Sequence, residues 1–137
     1  MYIGTVMEML KKHEGLRLKP YRCTAGKLTI GYGRNLDDNG ISQTEAEQML
    51  ANDIQTCYLE CSKFPFWNKL NEARKAVIID MCFNLGISRL KQFRKMLAAL
   101  EKGDYKSASK EMLDSNWARQ VKSRSTELSK IMETGEL

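Results

Sequence analysis

The sequence predicts an α+β protein that is mainly helical, in which a small glycine-rich β lobe follows the first helix and a larger helical lobe forms the rest. Apolar residues at helical spacing open the chain, a strand-like run lies among glycines near residue 30, and helical patterns follow from residue 42. We expect one domain of 137 residues, with the β lobe at about 15–41 and the helical lobe at about 1–14 and 42–137. Two lobes joined in this way should leave a cleft between them.

The first helix is predicted from the spacing of its apolar residues. Ile3, Val6 and Leu10 fall on one helical face. Gly15 offers a natural stop directly after Glu14. The helix should therefore end at Glu14, where the chain turns into the β lobe.

The β lobe is predicted from one strand-like run and the glycines around it. The run is Lys-Leu-Thr-Ile at 27–30, and Gly26, Gly31 and Gly33 interrupt the chain beside it. The sequence Asp-Asn-Gly at 38–40 is typical of a turn. We expect the β structure of the protein in this region.

The helical lobe begins with a capping box, in which Ser42 is followed three residues later by Glu45. Asn71 can cap a second helix, whose residues 76–83 are apolar nearly all round and so predict a place in the middle of a bundle. Further helices are predicted at about 90–102, 104–114 and 125–133.

The composition argues against a disulfide-stapled, metal-binding or membrane-anchored protein. A chain of this length needs no disulfides, so we expect Cys57 and Cys61, four residues apart, to be buried free thiols. The only histidine, His13, lies far from them in sequence, and no metal or other cofactor is expected. The first residues lack the long apolar core of a secretory signal or anchor, so we expect accumulation in the cytoplasm and no membrane insertion.

One segment combines residue types that suit the hydrolysis of a glycosidic bond. It runs from residue 14 to 33, and places a carboxylic acid at the end of a helix, facing a tight β unit that carries a thiol and a hydroxyl. Such hydrolysis needs an acid to protonate the leaving oxygen and a second group to direct water or stabilise the transition state. A carboxyl group in a partly apolar cleft keeps its proton near neutrality, because desolvation disfavours its charged form. Glu14 is therefore a candidate acid.

This segment resembles the catalytic signature of the bacteriophage lysozymes of the T-even type, glycoside hydrolase family 24. The signature is Glu, eight residues, Asp or Cys, five residues and Thr, and Glu14, Cys23 and Thr29 have that spacing. The resemblance continues through three later strings, at 44–47, 81–86 and 115–120. It covers nearly the whole chain and implies a lysozyme-like fold.

The resemblance also implies an activity. It is that of a muramidase, which hydrolyses the β-1,4 bond between N-acetylmuramic acid and N-acetylglucosamine in peptidoglycan and so lyses bacterial cells. Glu14 would be the general acid. Cys23 and Thr29 would lie across the scissile bond and organise the attacking water.

Further implied features concern the substrate and the biology. Arg124 matches an arginine near the catalytic glutamate, and Asn35 and Phe83 match positions that line the saccharide cleft. For Phe83, a core aromatic at helical spacing is an equally good interpretation. The implied protein is a monomer in the host cytoplasm that acts on the cell wall after a separate holin permeabilises the membrane.

Two positions depart from the best-known members of the family. Cys23 stands where they carry aspartate, and an unperturbed thiol has a pKa near 8.5 against about 3.9 for aspartate. Cys23 could therefore orient water, act as a base when ionised, or be a nucleophile. Arg34 stands where the largest members have a histidine, and the chain after Gly33 is shorter. We expect a smaller β lobe and a structural role for Arg34.

Three other functions fit parts of the sequence. A lytic transglycosylase would use Glu14 alone and release an anhydro-sugar, but Cys23 argues against it. A cysteine peptidase or amidase would activate Cys23 with His13, but no orienting third group is recognisable. The net charge of +5 suits nucleic acid, and Lys122, Arg124 and Lys130 cluster late in the chain. Because no aromatic-basic interleaving accompanies them, we interpret that cluster as a solvated helix face and expect no nucleic-acid partner.

Overall fold

The computed structural model describes residues 2–137 and is mainly helical with a small antiparallel sheet, which confirms the predicted fold class. The chain divides into two units, Met1–Gln48 and Met49–Leu137. The sheet belongs to the first unit and the apolar core to the second. The lobe boundaries expected from the sequence stay a prediction.

The first unit carries the sheet between two helical segments. Its elements are α1 (Ile3–Glu14), β1 (Arg17–Arg22), β2 (Leu28–Gly31), β3 (Arg34–Asn35) and α2 (Leu36–Asn39). The strands are antiparallel in the order β1-β2-β3, and Thr29 pairs with Tyr21 on one side and Asn35 on the other. Thr29 is therefore at the centre of the sheet, in the run that the sequence predicted as a strand.

Local signals end α1 and begin the next long helix as predicted. Gly15, with φ 72°, follows Glu14 and donates its N–H to the Lys11 carbonyl at 3.1 Å. Ser42 Oγ accepts from the Glu45 N–H at 3.1 Å, and the Ser42 N–H donates to Glu45 Oε1 at 2.8 Å. This capping box opens α3 (Gln43–Cys61).

The turn predicted at 38–40 is wrong, because the chain makes a helical turn there. Helix α2 spans Leu36–Asn39, and the side chain of Asn35 caps it by accepting the Asp38 N–H at 3.0 Å. Gly40, with φ 58°, ends it. A capping asparagine thus converts the expected turn into one turn of helix.

The second unit contains the end of α3 and the remaining helices. A short 3-10 helix (Trp67–Lys69) is followed by α4 (Glu72–Leu85), α5 (Ile87–Leu90), α6 (Arg94–Glu101), α7 (Tyr105–Leu113), α8 (Asn116–Val121) and α9 (Ser123–Thr134). Asn71 caps α4 as predicted, by accepting the Arg74 N–H at 3.0 Å. No helix within residues 2–137 is long and apolar enough to cross a lipid bilayer.

Two helix predictions in this unit need correction. The helix expected at about 90–102 begins only at Arg94, because the chain after α5 makes a tight turn in which the Phe93 N–H donates to the Leu90 carbonyl and Phe93 has ψ 59°. Helix α8 was not predicted, since six residues are too short for an apolar period to be visible. Ser115 caps it by accepting the Ala118 N–H at 3.1 Å.

The core of the second unit draws on every helix from α4 to α9. Helix α4 supplies five buried residues, consistent with the central place that its apolar sequence predicts. Cys57, Cys61 and Cys82 lie in this core as free thiols with exposed fractions of 7%, 0% and 2%. The prediction that Cys57 and Cys61 are buried and unpaired is confirmed.

Candidate active site

The carboxyl group of Glu14 is placed by the end of α1. Glu14 is the last residue of that helix, and Gly15 turns the chain directly into β1. The Glu14 side chain is exposed and makes no hydrogen bond or ion pair within residues 2–137. A carboxyl group without such a partner is available to a substrate.

Gly33, in the turn between β2 and β3, lies directly against this carboxyl group. A Cβ built on Gly33 would be 2.8 Å from Glu14 Oε2 and 3.2 Å from Glu14 Cδ. Gly33 also has φ 80°, a left-handed conformation that side chains disfavour. The missing side chain therefore allows the carboxyl group to approach the backbone of the turn.

Cys23 and Thr29 meet at the other end of the β1–β2 hairpin. The Cys23 N–H donates to the Lys27 carbonyl at 3.0 Å, and the Gly26 N–H donates to the Cys23 carbonyl at 2.8 Å, so the hairpin is tight. Thr29 is 4% exposed, and its hydroxyl donates to the Lys27 carbonyl at 2.9 Å. The same hydroxyl is among the groups that lower the pKa of the half-buried Cys23 thiol.

The surroundings of Cys23 favour the thiolate. Hydrogen bonding by the backbone of Lys27 and then of Ala25 lowers the pKa of Cys23 most; burial opposes this effect, and the Thr29 hydroxyl lowers the pKa by a smaller amount. His13 is not among the groups that perturb the thiol. Backbone groups of the hairpin are therefore the main cause of the lowered pKa of Cys23.

Arg34 braces the sheet against α3, in agreement with its predicted structural role. Its guanidinium donates to both carboxylate oxygens of Glu45, at 2.8 and 2.6 Å, and to the Gly40 carbonyl at 3.1 Å. The hydrogen bonds from Arg34 and from the Ser42 N–H lower the pKa of Glu45 to about 2. The same pair raises the pKa of Arg34.

This brace predicts an acid-dependent loss of stability. A folded-state pKa of about 2, below the ordinary 4.5, means that Glu45 stabilises the fold fully above pH 4.5 and stops doing so as the pH falls through 2. Glu45→Gln keeps the capping box but removes the ion pair with Arg34. We expect its Tm to lie below that of the parent chain near neutrality, by a difference that shrinks between pH 4.5 and 2.

Thermal unfolding followed by circular dichroism across that pH range measures the effect. Glu47→Gln is the matched control. Glu47 lies two positions further along α3, and its carboxylate accepts a hydrogen bond from the neutral Gln43 side chain. A difference in Tm between Glu45→Gln and the parent that does not change with pH would contradict the prediction.

The predicted saccharide contact Asn35 is engaged within the first unit. Its side chain accepts the Asp38 N–H at 3.0 Å and donates to Asp38 Oδ2 at 2.9 Å. Asn35 on β3 is also the strand partner of Thr29 on β2. Its role in binding a saccharide stays a prediction.

Phe83 and Arg124 lie in the second unit. Phe83, on α4, is 46% exposed and not part of the buried core. Arg124, on α9, donates to Asp80 Oδ1 from Nε at 2.9 Å and from Nη2 at 2.6 Å. Their predicted roles toward the substrate stay predictions, and Asp80 is a partner that the sequence did not indicate.

Gly33 is the residue of this site that sequence reasoning did not assign a role. It belongs to the Thr-Ile-Gly-Tyr-Gly string of the family resemblance, but a glycine in a turn is ordinarily explained by the turn itself. The structure shows a second reason for a glycine at position 33, because a side chain there would collide with the carboxyl group of Glu14.

Comparisons with known proteins identify the family of the chain. The family model described as phage lysozyme matches residues 11–130. The chain is 36% identical to the endolysin of Acyrthosiphon pisum secondary endosymbiont phage 1, over 81% of this chain and 75% of that protein. It is 27% identical to probable T4-type lysozyme 1 of Dictyostelium discoideum, over 98% of this chain and 97% of that protein.

A third relative is much longer. The chain is 29% identical to the pre-baseplate central spike protein Gp5 of Enterobacteria phage T4, over 97% of this chain but 28% of that protein. The match thus spans only part of the spike protein, whereas it spans nearly all of the Dictyostelium one. Because the family model matches most of this chain, the chain belongs to the phage lysozyme family and is a glycoside hydrolase.

Proposed function

We propose that the chain is a muramidase, which hydrolyses the β-1,4 bond between N-acetylmuramic acid and N-acetylglucosamine in peptidoglycan. The observation that carries this proposal is a pair of polar features in the first unit, one at the end of α1 and one at the β1–β2 hairpin. An unpartnered carboxyl group lies against the turn at Gly33, and a thiol of lowered pKa and a hydroxyl lie at the β1–β2 hairpin. Family membership supplies the substrate class.

In the proposed mechanism, Glu14 protonates the glycosidic oxygen as the bond to the sugar carbon breaks. Cys23 and Thr29 hold the water that attacks that carbon. The Thr29 hydroxyl has one proton, which it can give to the Lys27 carbonyl or to the sulfur, and so it can follow the charge state of the thiol. As the water oxygen forms the new C–O bond with the sugar carbon, the Cys23 thiolate accepts one proton of that water and becomes a neutral thiol.

The test is mass spectrometry of the muropeptides released from purified peptidoglycan. Hydrolysis adds one water and gives N-acetylmuramic acid at new reducing ends. A lytic transglycosylase gives anhydro-muramic ends instead, and an amidase or peptidase gives new amines. Anhydro ends or amines as the main product would overturn the proposed reaction.

The role of Cys23 predicts a ranking of variants. We expect Cys23→Ala to lose about a hundredfold or more in kcat/KM, because no group then accepts a proton from water. Cys23→Asp should keep substantial activity, since a carboxylate can do the same work. Its kcat/KM should also rise at lower pH than that of the parent, because a carboxyl group ionises well below a thiol.

A turbidity assay on permeabilised cells, repeated across pH, measures these variants. Thr24→Ala is the matched control, because Thr24 is the exposed neighbour of Cys23. A Cys23→Ala protein with parental activity would remove the thiol from the mechanism.

The wider biological setting is part of the same proposal. The chain would act as a monomer on the cell wall, after release from the host cytoplasm through a membrane opened by a separate holin. The endolysin relative supports this setting by its name alone. Sedimentation of the purified chain tests the monomer, and lysis of cells that express it with and without a pore-forming protein tests the release.

A further inference from the structure

A pocket of about 600 Å³ opens entirely within the second unit. The residues that line it do not include Glu14, Cys23 or Thr29. One wall comes from the chain between α5 and the first turn of α6, and the other from the chain between α7 and α8. Its volume lies in the range of pockets that hold small molecules.

The α5–α6 wall is strongly cationic and carries no internal compensation. Residues 87–100 contain Arg89, Lys91, Arg94 and Lys95 and no acidic residue. None of these four side chains makes an ion pair or a side-chain hydrogen bond with any other residue in the range 2–137. Three of them, all except Lys91, line the pocket.

The start of α6 adds hydrogen-bond donors to the same wall. Phe93 precedes the helix and offers no side-chain cap, and the first turn holds Arg94 and Lys95 where acidic residues are preferred. Arg94, Lys95 and Met96 all line the pocket. Cations beside an uncapped helix start are unfavourable on their own, and an anion in the pocket would relieve both effects.

The opposite wall is polar and partly aromatic. Trp117 lines the pocket and is held by a hydrogen bond from its indole N–H to Asn84 Oδ1 at 2.8 Å and by an edge-to-face contact with Phe93. Glu111 and Asp114 also line the pocket. Carboxylates here cannot hold the anionic part of a ligand but can accept hydrogen bonds from its hydroxyl or ammonium groups.

We propose that this pocket binds a phosphate ester, with the phosphate against Arg89, Arg94 and Lys95 and the hydroxylated or amine-bearing part of the ester toward Glu111 and Asp114. A phosphate has enough acceptor oxygens to engage two guanidinium groups and an ammonium group together, whereas a carboxylate has two oxygens. The mixed walls favour an ester over inorganic phosphate, because both ends of the ligand find complementary groups.

The test is a titration of the whole chain with glycerol 3-phosphate, followed by NMR. The indole N–H of Trp117 is the local reporter, since it lies in the pocket and donates to Asn84. We expect a saturable shift of this resonance, a weaker one with inorganic phosphate, and none with acetate or glycerol. Glu14→Gln should bind glycerol 3-phosphate as the parent does, which separates this site from the proposed hydrolysis.

Variants distinguish a built site from general charge attraction. Arg94→Gln should weaken binding about tenfold, the usual effect of losing a hydrogen bond to a charged group. Replacing Arg89, Arg94 and Lys95 together with glutamine should abolish it. A triple variant with glutamine at Lys102, Lys106 and Lys110, which lie outside the pocket, loses the same charge and should bind normally.

Circular dichroism of each variant checks that the fold is retained. Equal loss in both triple variants would overturn the proposal, and so would acetate binding as tightly as glycerol 3-phosphate. Binding to vesicles of an anionic phospholipid without any shift by soluble glycerol 3-phosphate would also overturn it, because the ligand would then be a membrane surface rather than a single phosphate ester in the pocket.

Discussion

Replacing Glu14 with glutamine is expected to abolish wall lysis while leaving the fold intact. The amide keeps the size of the side chain but has no proton to give to the leaving sugar oxygen. Losses of about a thousandfold are within the range for removal of a general acid. The side chain makes no hydrogen bond or ion pair within residues 2–137, so the substitution should cost little stability.

The measurement is release of reducing ends from purified peptidoglycan, together with Tm. Glu8→Gln serves as the matched control, because Glu8 lies on the same helix and forms an ion pair with Lys11 at 3.8 Å. Lysis at the parental rate by Glu14→Gln would contradict the proposed mechanism. An inactive protein with an unchanged Tm would support it.

Replacing Gly33 with alanine should have the second largest effect. The new methyl group would lie 2.8 Å from Glu14 Oε2, so the carboxyl group or the turn must move. A displacement of the acid by a few tenths of an ångström or more lowers kcat, and a misplacement of about 1 Å costs on the order of a hundredfold. We expect the loss in kcat rather than in KM, since the acid acts on the bond and not on the rest of the saccharide.

Gly31→Ala separates this effect from backbone strain. Gly31 also has a positive φ, of 70°, but a Cβ there meets nothing within 4 Å. Both variants should lose about 1–3 kcal/mol from the left-handed conformation. Only Gly33→Ala should lose most of its kcat, and a similar loss of kcat in both would show that strain, not the position of Glu14, is responsible.

Much of the fold follows from local signals in the sequence. Gly15 after Glu14 and the Ser42–Glu45 capping box act within a few residues, so the sequence places these helix ends correctly. The strand at 28–31 and the buried cysteines follow from short patterns of the same kind. What the sequence could not show was the break between α5 and α6, where a tight turn and the contact of Phe93 with Trp117 override a continuous helical pattern.

The candidate site divides in the same way. The spacing of Glu14, Cys23 and Thr29 identifies the candidate residues, and the register of the hairpin brings the last two close together. The approach of Glu14 to Gly33 depends on how α1 meets the sheet, and no residue pattern encodes it. The pairing of Arg124 with Asp80 joins residues 44 positions apart and is equally invisible in sequence.

The cysteines have a practical consequence for handling the protein. Burial, the largest cause in each case, raises the pKa of Cys57, Cys61 and Cys82 to about 11, so that on the order of one in ten thousand is ionised at neutral pH. Alkylating reagents and peroxides attack the ionised form. Among the cysteines within residues 2–137, Cys23 is then the one whose thiol such reagents should modify readily, and a thiol-directed fluorophore or spin label should attach there without any cysteine being engineered in or out. Because Cys23 belongs to the proposed active site, we expect its modification to lower lytic activity.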